Sequence, residues 1–347
     1  MGPGWDTVIL GSGPVGLTAA LIAARSGRVL VIMPRRATGA APLRIDCVPA
    51  ALLALFIELG LHPAELGASA IHTHRLVAWS GATPEATRAA PTVHILRPKL
   101  ERGLLEIARA HRNIGFVIGA TLETLPSATL VLDATGRRAV TAERRYFPVN
   151  PAILFSVIAR GAFSRAQQAF RMASLPTGYA YRLGISEFLM VGLVEGRDQS
   201  RSSNGTVPER LRRLGAGWLL DGMPSGTSTP ARGGVASVQW TSGSGPVVRI
   251  GHAAFARDAL ASQGIANGIS GALCLFEAAD AGDAYIRRTN GEIVSHLGTL
   301  QRLVADCAYR EHAFWAHYAG FLVRARGSVP TPLDLGIVPR RPNVTSI

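Results

Sequence analysis

Residues 7–10 form a short apolar, β-branched run that leads directly into Gly11-Ser12-Gly13-Pro14-Val15-Gly16 and then into an alanine- and leucine-rich stretch reaching about residue 26. A second apolar run, residues 28–33, follows at once. Strand, glycine loop, helix and strand in that order make the opening unit of a doubly wound α/β sheet. The three glycines then act separately. Gly11 allows the tight turn, Gly13 lets a pyrophosphate approach bare backbone, and Gly16 lets the helix lie close on the strand. Pro14 sets the first helical residue, and the free amides of the helix start face the phosphates. The competing reading is a glycine-rich turn that only packs. One part of the dinucleotide pattern is missing, because the second strand ends in Met33-Pro34-Arg35-Arg36 where an acidic residue would bind the adenosine ribose. Arg35 suits either a 2′-phosphate, and so NADP, or a flavin site without that ribose contact.

Charge and cysteine content narrow the function classes. The 347 residues carry 36 basic against 23 acidic groups, a net charge of +13, yet Lys99 is the sole lysine. The arginines are scattered in short pairs such as Arg137-Arg138 and Arg212-Arg213. A nucleic-acid binder gathers basic residues on one element with aromatics between them, so this pattern reads as a basic solvated surface and no nucleic-acid partner is expected. Cys47, Cys274 and Cys307 are widely spaced and contain no Cys-x-x-Cys pair, which supports neither a disulfide framework nor a zinc site. A cytoplasmic location is the default expectation. The apolar N-terminal stretch lacks a basic leader and carries Asp6 among its glycines, unlike a signal peptide. No run of about 18 apolar residues marks a membrane span.

Three later segments complete an ordered set. Arg97-Pro98-Lys99-Leu100-Glu101 opens a helix after a strand at 92–96. Residues 130–133 are a buried strand ending in Asp133-Ala134-Thr135-Gly136-Arg137. Residues 248–250 lead through Gly251-His252-Ala253-Ala254 to Asp258 and then to Ser262-Gln263-Gly264-Ile265, which opens a small-residue helix. With the glycine loop, these segments resemble the FAD-dependent monooxygenase superfamily. The resemblance implies an α/β fold: a Rossmann-like FAD-binding domain of the glutathione-reductase and hydroxybenzoate-hydroxylase type, with an inserted antiparallel-sheet substrate domain. It implies cofactor contacts at Arg97, Asp133, Gly136, Gly251, His252, Asp258, Gln263, Gly264 and Ile265, beside Gly11, Gly13, Pro14, Gly16 and Arg35. The cofactor domain would comprise residues 1–55, 95–140 and 245–283, the substrate domain 56–94 and 141–244, and the C-terminal helices and tail 284–347.

Within the superfamily, Asp46-Cys47-Val48-Pro49 before a helix ending Leu59-Gly60-Leu61, and Tyr309-Arg310-Glu311-His312-Ala313-Phe314-Trp315, resemble the tryptophan-halogenase-like branch. That branch includes flavoproteins that hydroxylate tryptophan in a partner polypeptide to build a quinone cofactor. Its halogenases carry a lysine after the Leu-Gly-Leu helix and a Trp-x-Trp-x-Ile-Pro segment; here that region reads Ala70-Ile71-His72-Thr73-His74-Arg75, and no Trp-x-Trp occurs. The resemblance therefore implies a monooxygenase that hydroxylates an aromatic or indole-type substrate, free or within a peptide or protein, through an oxygen adduct at flavin C4a. Halogenation is not expected. NAD(P)H would supply electrons directly or through a separate flavin reductase, since no second Gly-x-Gly-x-x-Gly occurs. His252 stands where the superfamily has an aspartate for the ribityl hydroxyls, and a histidine also hydrogen-bonds a hydroxyl. The rival readings are a weakly flavin-binding, non-catalytic partner protein and a reduced-FAD-dependent isomerase or cyclase.

Catalytic candidates are fewer. His72 and His74 alternate with their neighbours, so both are expected on one face of a strand, as substrate-facing proton acceptors or as ordinary hydrogen-bonded histidines. No carboxylate or cysteine lies near them in sequence, so no metal is expected. Asp46 sits near the flavin by resemblance, or caps the helix that follows. Trp79, Tyr179, Tyr181, His312 and Trp315 line an aromatic pocket or pack as core. The stretches 197–205 and 224–234, rich in Gly, Ser and Pro, read as loops.

Overall fold

Residues 7–10 of the strand Trp5–Leu10 and the whole of the strand Val29–Met33 are buried without alternation because both faces are covered, as in a parallel sheet flanked by helices. The computed structural model describes residues 4–35, 43–119, 124–148, 150–202, 204–224, 228–243, 246–258, 260, 264–277 and 281–328. In space the parallel sheet runs Val247–Arg249, Ala128–Asp133, Trp5–Leu10, Val29–Met33, Ile114–Ile118, every pair parallel. The helix Pro14–Ala23 is buried along nearly its whole length, packed between this sheet and the helices Arg97–Ala110 and Gly264–Glu277. Its glycine loop is tied to neighbouring strand ends by backbone bonds, Gly11 N to Ile32 O at 2.9 Å and Ala134 N to Leu10 O at 2.8 Å. Ile250 N to Asp133 O, at 2.8 Å, continues the seam.

A larger sheet of eight strands runs Ser228–Val235, Ala152–Arg160, Phe188–Gly196, Gly178–Gly184, Arg171–Leu175, His72–Ala78, Glu85–Leu96, Ile45–Pro49. All neighbours are antiparallel except Arg171–Leu175 with His72–Ala78. The strand Ile45–Pro49, which lies inside the sequence-assigned cofactor segment 1–55, pairs here with Glu85–Leu96. A short third sheet joins Phe255–Ala256, Gln239–Ser242 and Arg144–Tyr146. The C-terminal helices Ala281–Ala305 and Ala313–Ser328 are pinned to the large sheet through indole N–H groups: Trp79 donates to Leu303 O and Trp315 to Leu175 O, each at 2.7 Å. Among the described residues no helix is long and apolar enough to cross a membrane.

Two stretches expected as loops, 197–205 and 224–234, are in part regular among the described residues. Residues Arg197–Ser202 are helical, with Asp198 in the first turn where the helix dipole favours it. Ser228–Val235 is an edge strand on Ala152–Arg160, the kind of strand to which proline is largely confined within sheets.

Two histidines are deeply buried as neutral rings. His94, 0% exposed, has Nδ1 at 2.8 Å from Gly184 O, and burial pushes its pKa down to about 4. His296, 3% exposed, has Nε2 at 3.3 Å from the Asp258 amide and falls to about 3, again through burial first and then through Arg257. Their folded pKa values lie below the unfolded value of 6.5, so the unfolded chain takes up protons that the folded chain refuses. The stability of the neutral rings is complete above pH 6.5 and is lost as pH falls toward the folded values. Urea unfolding at pH 7.5 and at about one unit below 6.5 is expected to differ by about 1–1.5 kcal/mol for each of these histidines. A second expectation concerns the seam. A Cβ on Gly16 would meet the Gly11 carbonyl oxygen at 2.2 Å, so Gly16→Ala should cost about 1–3 kcal/mol in the same assay, whereas Gly13→Ala, which meets nothing within 4 Å, should cost far less.

Candidate functional site

The loops that leave the carboxyl ends of the parallel strands enclose a cleft of about 1130 Å³. Its floor is the glycine loop. Gly11 has φ +106°, a conformation that favours glycine, and a Cβ there would lie 2.6 Å from the Ala134 carbonyl oxygen. Gly13 caps the helix Pro14–Ala23 with no side-chain bond, which leaves first-turn amides turned toward the cleft. Gly16 lies beneath the loop rather than on its surface. Gly251 and Gly268 admit Val15 from the other side: a Cβ on Gly268 would meet Val15 Cγ2 at 2.5 Å.

One wall is built around Arg97, at the start of the helix Arg97–Ala110. Its Nε donates to Glu101 at 2.7 Å and one terminal nitrogen donates to Asp46 at 3.0 Å. Asp46 also stands 3.6 Å from Arg44. Asp46 therefore orients a cleft arginine, and it lies within the strand Ile45–Pro49 rather than capping a helix. The opposite wall is the turn after Asp133, where Gly136 has φ +66°. Asp133 itself is fully buried and faces away from the cleft lining. Its carboxylate accepts from the amide and hydroxyl of Thr135 at 2.9 and 2.6 Å and from those of Thr141 at 3.0 and 2.8 Å. Asp133 thereby holds the turn that carries Gly136.

The inner end of the cleft is formed by Ile250, His252, Gly264 and Ile265. His252 Nε2 is buried without a hydrogen-bond partner and packs so close over the helix start that a Cβ on Gly264 would lie 2.0 Å from it. Burial first, and then Arg137, Arg97, Arg44 and Arg257, bring the pKa of His252 down to about 3, so the ring is neutral. Gln263 lies outside the described residues.

Asp258 is buried behind this end. Tyr179 donates to one carboxylate oxygen at 2.5 Å, Tyr318 donates to the other, and the Leu260 amide donates at 2.9 Å. Burial raises the Asp258 pKa, against the two phenols, the Leu260 amide and Arg137. Arg137 in turn donates to the carbonyls of Ser237 and Arg257. The junction thus ties the large sheet, the helix Ala313–Ser328 and the Leu260 amide to one carboxylate.

The sequence-predicted residues Gly11, Gly13, Pro14, Arg35, Arg97, Gly136, His252, Gly264 and Ile265 share the cleft lining, whereas Gly16, Asp133, Gly251 and Asp258 support it from beneath. The expected His72–His74 pair is corrected. A register shift between them breaks the strand alternation, so His72 is buried against His94 at 5.0 Å between ring centroids while His74 is exposed beside Thr73. Neither reaches the cleft. Trp79, Tyr179 and Trp315 do meet, with Trp79 and Trp315 edge to face at 5.4 Å, as buried core; His312 is exposed. Arg102 and Arg138 also line the cleft and were missed, since nothing local separates them from the scattered surface arginines. Tyr318 was missed because it is 60 residues from Asp258 along the chain.

No protein-family model matches the chain, and no curated protein matches it. Among solved structures, a myxobacterial chondrochloren halogenase, CndH, described as a variant of FAD-dependent halogenases, aligns with TM-score 0.70 at 16% identity over 90% of this chain and 85% of its own. The peptidyl tryptophan dihydroxylase QhpG, essential for tryptophylquinone cofactor biogenesis, aligns with TM-score 0.65 at 18% identity over 91% and 78%. PqsL of Pseudomonas aeruginosa, a probable FAD-dependent monooxygenase, aligns with TM-score 0.64 at 17% identity over 92% and 99%. The parallel sheet with its glycine loop, joined to a large antiparallel-rich sheet, is accordingly the fold of the FAD-dependent halogenases and monooxygenases.

Proposed function

We propose that this protein is an FAD-dependent monooxygenase that hydroxylates an aromatic or indole-type substrate. The observation that carries the proposal is the cleft at the carboxyl ends of the parallel strands, where the glycine loop, the Arg97 cluster and His252 converge on one dinucleotide-sized space. The residues fit FAD. The open face of Gly13 and the uncapped helix start receive a pyrophosphate. The orphaned Nε2 of His252 is left for a ligand hydroxyl. Bound FAD would supply electron transfer and oxygen activation. The chain's own residues bind and orient it: Arg97 is held in place by Asp46 and Glu101, and Asp258 joins Tyr179, Tyr318 and the Leu260 amide behind the inner end. The buried aromatic core behind that junction shields the inner end from solvent.

The fold shared with QhpG and PqsL supports hydroxylation, and the first of these makes a peptide or protein substrate a reading worth testing. Hydroxylation is favoured over halogenation by the position of the one lysine. The Lys99 side chain packs against Gly67 and does not line the cleft, so no amine is placed there to activate a hypohalous acid. NAD(P)H, used directly or through a separate flavin reductase, is the proposed source of electrons.

The test is reconstitution. Purified protein mixed with FAD, a flavin reductase, NADH and indole compounds or tryptophan-containing peptides is expected to turn yellow and to give a product with one oxygen atom drawn from labelled dioxygen. A halogenated product in the presence of chloride or bromide, or a protein that retains no flavin, overturns the assignment. In the same preparation, Arg97→Gln should weaken FAD binding about tenfold, equivalent to about 1.4 kcal/mol, as read by flavin fluorescence.

A further inference from the structure

Three arginines stand at the mouth of the cleft and take no part in the Arg97 cluster. Arg35 follows the strand Val29–Met33, Arg102 lies on the helix Arg97–Ala110, and Arg138 ends the short turn Gly136–Arg138. All three are exposed and all three line the same cleft. Among the described residues Glu101 is the one acidic residue of that lining, and it is already engaged by Arg97 at 2.7 Å. Among the described residues no carboxylate pairs with Arg35, Arg102 or Arg138. The stem of Arg35 is moreover held in place, lying across Gly119, where φ is +74° and a Cβ would come within 2.6 Å of Arg35 Nε.

Like charges gathered from three separate elements onto one opening raise the energy of the empty protein, and they focus its field along the cleft. The glycine loop and the uncapped helix start offer a pyrophosphate its backbone donors. The surplus positive charge acts at longer range, where a charged ligand feels it and a neutral one does not.

We propose that Arg35, Arg102 and Arg138 form an electrostatic funnel that selects flavin dinucleotide by its phosphates and speeds its capture, so that FAD loads from solution at a rate that falls with salt. This rests on the cleft being a flavin site, and it adds which residues govern loading and which flavins load.

The experiment is stopped-flow quenching of flavin fluorescence by the full-length protein, with FAD and riboflavin as probes. Ionic strength is varied from about 0.01 M to about 0.3 M, across which the Debye length shrinks from about 30 Å to under 10 Å. The FAD association rate is expected to fall about tenfold over that range, while the rate for riboflavin, which has no phosphate, stays level. The triple variant Arg35→Gln, Arg102→Gln, Arg138→Gln should lose most of the low-salt advantage and flatten the slope. A control with the same change in net charge elsewhere, Arg212→Gln, Arg213→Gln, Arg310→Gln, should keep the steep slope. A salt-independent FAD rate, a steep slope retained by the first triple variant, or equal flattening by the control overturns the funnel. FAD that binds slowly and independently of salt sinks the funnel alone, whereas no FAD binding under any condition sinks the flavin assignment with it.

Discussion

The close approach of Gly16 to the carbonyl of Gly11 is the contact on which the site depends. It lets the helix Pro14–Ala23 start directly above the end of its strand, so the first-turn amides are delivered to one point at the edge of the sheet. Everything else in the cleft is referred to that point through backbone bonds. Gly11 is tied to Ile32, Ala134 to Leu10, and Ile250 to Asp133, so three loops from distant parts of the chain share one floor. Side chains decorate this frame without defining it, which is why a chain below 20% identity to CndH, QhpG and PqsL keeps their fold.

Above that floor the carboxylates and the arginines are handled differently. Asp46, Asp133 and Asp258 are each enclosed by donors: guanidinium groups for the first, threonine hydroxyls and amides for the second, two phenols and an amide for the third. Their charge is spent within the protein, in turns and junctions. Arginine charge is instead left facing the cleft and its mouth, and His252, at the inner end, stays neutral among four arginines. The cleft consequently presents a positive interior to an anionic ligand even though acidic residues lie close behind its walls.

Much of this was legible along the chain. The glycine spacing, the β-branched run before it and the small-residue helix at Gly264 announce a parallel-sheet cofactor domain because each feature is local: a turn, a close packing distance and a helix start are all decided within a few residues. The ends of strands were readable for the same reason, and the strand expected at 92–96 is the end of the observed Glu85–Leu96. What failed was non-local. Alternation placed His72 and His74 together, and a register shift against Glu85–Leu96 separated them. Composition made 197–205 and 224–234 loops, whereas Arg197–Ser202 is helical and pairing along the edge of the large sheet made Ser228–Val235 a strand.

By itself, then, the sequence determined the class of fold, the position of the glycine loop and nine of the residues that line the cleft, since those follow from backbone permissiveness and local periodicity. Only the tertiary structure decided what the charged residues do. Asp133 was expected on the cofactor and instead holds a turn, and Asp46 serves by orienting Arg97. Asp258 draws Tyr179 and Tyr318 from two other elements, and Arg102 and Arg138, indistinguishable in sequence from any other surface arginine, stand at the cleft mouth. A charge acts through whatever surrounds it in space, and those surroundings come from parts of the chain that no local pattern connects.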